Sequence, residues 1–185
     1  VGTNIQINDK VGALFPNLSK NQSGLSVLNP GENSFSIETH LFIPDQVSFD
    51  QIICQKLNQQ SNCGFTLYLQ ESTSSNVNLT FVIVSGTSYI KSYMPIQKGI
   101  YNHIVAIADK SKAYTIIKLF NNFQFINESL QKQNFGTFDF DDSLFTIGSG
   151  STWFENTSQI SGSGMTTFTG SLDEFRFFHS IRSIE

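Results

Sequence analysis

The chain has 185 residues, enough for one domain with a real core, and all-β sandwiches commonly use such a length as a single unit. Its 11 Lys and Arg are scattered against 15 Asp and Glu, a formal charge of −4, which argues against a phosphate-tracking basic patch and against nucleic acid as partner. Charged residues make up only 14% while Phe occurs 18 times, a composition with too much apolar content for a disordered chain.

In chain order, the opening "VGTNIQIND" carries neither an initiating Met nor a signal peptide, and the closing "RSIE" is as abrupt. Residues 1–185 are therefore expected to be one domain excised from a longer protein. The first run with strict alternation is "SFSIETHLFI", where Phe35, Ile37, Leu41 and Ile43 share one face and Ser34, Ser36, Glu38 and His40 the other. "QIICQKL" and "GFTLYLQ" follow as a hairpin, with Cys54 and Cys63 near the mouth of its loop. The two thiols either bridge or serve as small buried hydrophobes. No CxxC and no Cys/His cluster accompanies them, which excludes a zinc site.

"LTFVIV" at 79–84 is apolar on both faces, as a central strand of a layered sheet would be. "NHIVAIA", "AYTIIKLF", "FQFI", "SLFTIG" and "LDEFRFF" continue the strand pattern, separated by turn-rich joints, the longest being "SGSTWFENTSQISGSG". Helical periodicity is almost absent, and no apolar run reaches the roughly 18–20 residues of a membrane span. Many short strands with frequent turns predict an all-β antiparallel sandwich or barrel. Five Asn-x-Ser/Thr sequons, at Asn17, Asn21, Asn78, Asn127 and Asn156, are close to what this Asn- and Ser-rich composition produces by chance.

The order of four segments resembles the concanavalin A-like lectin/glucanase superfamily, in its laminin-G-like and pentraxin-like branch. "NSFSIETHLFIPD" is similar to the early strand of that family, and "QIICQKL…CGFTLYL" to the hairpin after it. "KGIYNHIVAIAD…IIKLFNNFQF" resembles a Trp-x-His-Val-Ala strand with its Asn-Gly hairpin, and "LFTIGSG…FTGSLDEFRFFHSIRS" the closing signature. Tyr101 stands where the family has Trp, and Asn121-Asn122 where it has Asn-Gly. The resemblance implies a jelly-roll β-sandwich of about 12–14 strands. It implies non-catalytic recognition, with a glycan as the leading ligand. The alternative is a protein-interaction or structural domain of an extracellular, cell-surface or virion assembly, an adhesin for example. The fold alone decides nothing here, since it hosts many functions.

Residue chemistry narrows the candidates. A retaining glycosidase needs two carboxyls about 5 Å apart, and strands supply them at i and i+2. None of the seven Glu residues has an acid two positions away, and alternation would send Asp173 and Glu174 to opposite faces. On that reading Asp173 starts a core-facing stripe with Phe175 and Phe177, and Glu174 pairs with Arg176. A nucleophile elbow of the G-x-S-x-G kind is absent. The pentraxin-type calcium pair lacks its acids, because "IGSGSTW" has no carboxylate before Glu155. A single laminin-G-like Ca2+ would draw on Asp139, Asp141 and Asp142; the alternative is a solvated polar face. For a metal-free sugar site, Trp153 in the longest loop, with Glu155 and Asn156 beside it, supplies a ring and hydrogen-bonding groups. The alternative is a Trp folded back over the sheet as a satellite of the core. Tyr93 is a further ligand candidate, with Tyr68 and Tyr89 behind it. His103 is read as a hydrogen-bonded structural residue, His40 as outward-facing beside Glu38, and His179 as the end of the last strand.

Overall fold

The structure, a computed structural model, describes residues 5–7, 28–47, 51–73, 75–138, 140, 144–160 and 166–183. Among them the chain forms fourteen strands and no helix, so no described helix is long and apolar enough to cross a membrane. Two sheets take up nearly all of these strands. The first runs β1 (Ile5–Ile7), β10 (Phe145–Ile147), β3 (Gln51–Asn58), β4 (Cys63–Ser72), β5 (Asn76–Ser85) and β6 (Ser88–Gln97), with β13 (Thr166–Thr167) lying parallel to the start of β3. The second runs β14 (Ser171–Phe178), β2 (Phe35–Phe42), β7 (Tyr101–Asp109), β8 (Ile116–Asn121) and β9 (Gln124–Glu128). Apart from β13 every pairing is antiparallel, and the two sheets pack face to face as a sandwich. A small hairpin, β11 (Trp153–Glu155) and β12 (Ser158–Ile160), completes the set.

Period-two alternation decides which side chains meet between the sheets. Phe35, Ile37 and Leu41 of β2 point inward, as do Ile104, Ala106 and Ala108 of β7 and Leu79, Phe81 and Ile83 of β5. The abundance of Phe finds its use here. The Phe35 ring stacks on Phe177 at 5.3 Å and 18°, and meets Phe81, Phe138 and Phe140 edge-on. Offset and edge-on contacts of this kind contribute about 0.5–1.5 kcal/mol per pair beyond the area they bury. β5 is apolar on its outer face too, because Val82 and Val84 are covered there by Trp153.

Register decides between the two readings of the cysteines and moves one expected turn. Cys63 lies opposite Asn58, four residues along β3 from Cys54, which is opposite Leu67. At about 3.3 Å per residue that offset far exceeds the roughly 7 Å a disulfide can span. The two are therefore not bridged to each other, and burial pushes the Cys54 thiol well above its ordinary value. The β8–β9 turn also falls one residue later than expected. Asn122 and Phe123, not Asn121 and Asn122, take positive φ, at 48° and 66°. Asn122 fixes this by accepting the His103 amide through Oδ1 at 2.9 Å and donating its own amide to the His103 carbonyl at 2.8 Å. A Phe in left-handed backbone is unusual and costs on the order of 1 kcal/mol.

Candidate functional site

The loop expected to carry the ligand is instead sealed against the seven-stranded sheet. Trp153 is 0% exposed and packs its ring on Tyr68 at 5.2 Å, within a cluster that includes Ile52, Leu57, Val82 and Val84. Its Nε1–H donates to Glu155 Oε1 at 3.2 Å, and Glu155 Oε2 receives Lys91 Nζ at 2.6 Å. Gln55 holds the approach to the hairpin: its Oε1 accepts the Ser151 amide at 2.6 Å and its Nε2 donates to the Ser151 carbonyl at 3.0 Å. A Cβ on Gly150 would come within 2.6 Å of Ile52 Cδ1 and 2.7 Å of Gln55 Oε1, so a side chain there would have to displace those two side-chain ends. Asn62 clamps the other side, exchanging hydrogen bonds with the Phe154 carbonyl and amide.

Trp153 therefore offers no ring face to a sugar. Tyr68 is buried as well. Asn156 sits exposed at the β11–β12 turn with φ 57°, and Tyr93 stands 57% exposed on the outer face of β6, but buried Glu155 is committed to Trp153 and Lys91. Asp139, Asp141 and Asp142 lie outside the described residues, and the described residues hold no cluster of three or more acids, His or Cys suited to a metal.

The other outer face, that of the five-stranded sheet, gathers the groups a recognition site needs. Register aligns Asp173, His40 and His103 in one row, Arg176, Glu38, Val105, Phe120 and Phe125 in the next, and Ser171, Phe42 and Tyr101 on the far side. Glu38 is the anchor. It is only 5% exposed, yet its carboxylate accepts His103 Nε2 at 3.1 Å, Arg182 Nε at 3.0 Å and Arg176 Nη1 at 3.4 Å. Burial alone would raise the Glu38 pKa, but the hydrogen bonds and charges of His103 and Arg182 outweigh it and hold the carboxyl below its ordinary range. Arg182 reaches this point because the segment after β14 folds back over β2. There Ser36 Oγ donates to the Ser180 carbonyl and accepts the Arg182 amide.

Aromatic rings border these charges. Phe123, 66% exposed, stacks on His103 at 4.6 Å, and the His103 ring lies 4.8 Å from His40. Tyr101, 55% exposed, packs on Phe42 at 5.3 Å. The β7 backbone and the β8–β9 turn thus hold two exposed rings beside fixed imidazole, guanidinium and carboxylate groups. Such a surface can stack an apolar sugar face and hydrogen-bond its hydroxyls.

Asp173 and Glu174 join the same face, which corrects their expected separation. The β14–β2 register slips between Asp173 and Arg176, and Glu174 takes φ 50° as the extra residue of a bulge. Alternation is broken there, so Asp173 stands exposed opposite outward-facing His40 and does not begin the core stripe. It caps the bulge by accepting the Glu174 amide at 2.8 Å, while Thr39 Oγ1 donates to its carbonyl at 2.9 Å. Glu174 does pair with Arg176, at 3.0 Å, and lies 3.7 Å from His40 Nδ1. We expect Asp173→Ala to cost roughly 0.5–1 kcal/mol by urea unfolding, and Glu174→Gly, which relieves the left-handed backbone, to offset part of that loss in the double variant. Equal stability of wild type and Asp173→Ala would show that the cap contributes nothing.

Glu38, Arg176, Arg182, Tyr101 and Phe123 escaped sequence reasoning as a site. One signal was available: Glu38 and His40 alternate with apolar residues on β2, as His103 does on β7, and outward polar positions on neighbouring strands of one sheet fall side by side.

No protein-family model matches the chain, and no curated protein matches it in sequence. Solved structures do. The CBM40 carbohydrate-binding module of the Ruminococcus gnavus IT-sialidase, bound to α2,3-sialyllactose, superposes with TM-score 0.55 at 14% identity, covering 82% of this chain and 78% of that one. The same module bound to α2,6-sialyllactose gives 0.55 at 15%, over 82% and 79% of the two chains. The heptameric SAP-like pentraxin of Limulus polyphemus gives 0.53 at 12% identity, over 84% of this chain and 68% of that one. Two antiparallel sheets packed as a sandwich, shared with these neighbours over most of their length, give the chain the concanavalin A-like jelly-roll fold.

Proposed function

We propose that the chain is a carbohydrate-recognition module that takes a glycan on the outer face of its five-stranded sheet. The observation that carries this reading is the exposed ring pair Tyr101 and Phe123 flanking the His40–His103 row, with Arg176, Arg182 and Glu174 at its end. The rings would stack on a pyranose face, and the charged groups, already positioned by Glu38, would read hydroxyls. Neighbours of the same fold that bind sialyllactose support the ligand class at this coarse level. We read the module as one that recognises and does not cleave. Among the described residues of the face, Glu38 is engaged by three cationic or imidazole groups, and Asp173 and Glu174 are chain neighbours at one bulge and not carboxyls placed on either side of a bound sugar.

Glycan-array binding followed by titration tests the proposal. Tyr101→Ala and Phe123→Ala should each weaken affinity about tenfold, or roughly 1.4 kcal/mol, with little change in melting. Array binding that survives both substitutions would remove the platform from consideration. A protein partner is the second reading, favoured by Leu130, Ile126 and Phe125, which expose apolar surface at and just beyond β9. A folded chain with no array hits would favour that reading.

A further inference from the structure

We infer that the glycan taken by this face is uncharged, a neutral or N-acetylated sugar and not the acidic kind bound by the CBM40 module. The inference rests on the proposed site, and charge decides it. Among the described residues, the strands of the face and the tail across them present five carboxylates, Glu38, Asp109, Glu128, Asp173 and Glu174, against three cations, Lys118, Arg176 and Arg182. Every one of those cations already has a carboxylate partner. Arg176 lies 3.0 Å from Glu174 and 3.4 Å from Glu38, Arg182 3.0 Å from Glu38, and Lys118 2.6 Å from Asp109.

The two buried acids among them, Glu38 and Asp109, are held in the ionised form. Burial would raise the carboxyl of Asp109, but the hydrogen bonds of Lys118 and Ser111 hold it low, as His103 and Arg182 do for Glu38. A sialic or sulfated sugar would have to draw an arginine from an existing partner while approaching Asp173 and Glu174, exposed acids at the edge of the rings. A neutral sugar meets no such opposition. Its hydroxyls can donate to the exposed carboxylates and accept from guanidinium groups whose charge is already balanced, and its apolar face finds Tyr101 and Phe123.

The test is an array of matched glycans, each in neutral, sialylated and sulfated form, followed by titration of lactose and 3′-sialyllactose at low and high NaCl. We expect the neutral member of each bound pair to bind at least as tightly as its acidic counterpart. Its affinity should change by less than about twofold between the two salt conditions, because few screened charges are involved. The double variant Asp173→Asn, Glu174→Gln should gain affinity for the acidic member by about threefold or more. Acidic glycans binding about tenfold tighter than neutral ones, with affinity that falls as salt rises, would overturn the inference and leave the platform standing. A folded chain that binds no glycan in any form would overturn both.

Discussion

Glu38→Ala should lower stability by about 3 kcal/mol, a fall in melting temperature of roughly 6–12 °C for a chain of this size, and should weaken glycan binding as well. The cause is asymmetric. Removing the carboxylate strands His103 with no acceptor at Nε2 and leaves two guanidiniums facing each other across a small cavity. Both arginines are about half exposed, so solvent screens their share, and the expected loss is smaller than for a fully buried triad. Glu38→Gln keeps the shape and one acceptor oxygen, and should cost about half as much.

The pH dependence separates this charge network from mere packing. A carboxyl held low in the folded state contributes its full stability above the unfolded value, about 4.3, and loses it as pH falls through the lower folded value. Wild type should therefore lose stability from roughly pH 5 downward, and Glu38→Ala should show a shallower acid loss. Parallel acid-unfolding curves for the two proteins would mean that the Glu38 contacts contribute packing alone.

Much of the fold was legible because alternation is a local signal. β2 could be read residue by residue, and the two-faced apolar run of β5 announced a strand covered on both sides. Order along the chain then suggested the superfamily, and the neighbours share its jelly-roll fold. What escaped has a common physical origin in contacts or irregularities that no local pattern encodes. The Glu38 network joins β2 to residues 65, 138 and 144 positions away. The bulge at Glu174 adds one residue to a strand, which reverses every inference about facing on its N-terminal side. The β8–β9 turn moved one place because His103, on another strand, grips the Asn122 side chain.

Trp153→Ala should destabilise the chain by about 3–5 kcal/mol, lowering its melting temperature by roughly 6–20 °C, while leaving glycan affinity nearly unchanged in what remains folded. Trp153 is among the largest fully buried side chains, and it closes the second apolar cluster over Ile52, Tyr68, Val82 and Val84. Truncation opens a cavity there and leaves buried Glu155 holding Lys91 without its indole partner. Trp153→Phe preserves most of the packing and loses only the Nε1 donor, so it should cost about 1–2 kcal/mol and keeps the comparison usable if the Ala variant fails to fold. As the only Trp in the chain, this residue also reports on its own surroundings. Its emission should shift on unfolding and stay constant when sugar is added, since the proposed platform lies on the opposite sheet. Emission quenched by a bound glycan, or Trp153→Phe melting like wild type while binding is lost, would return the site to the loop and empty the five-stranded face of its proposed role.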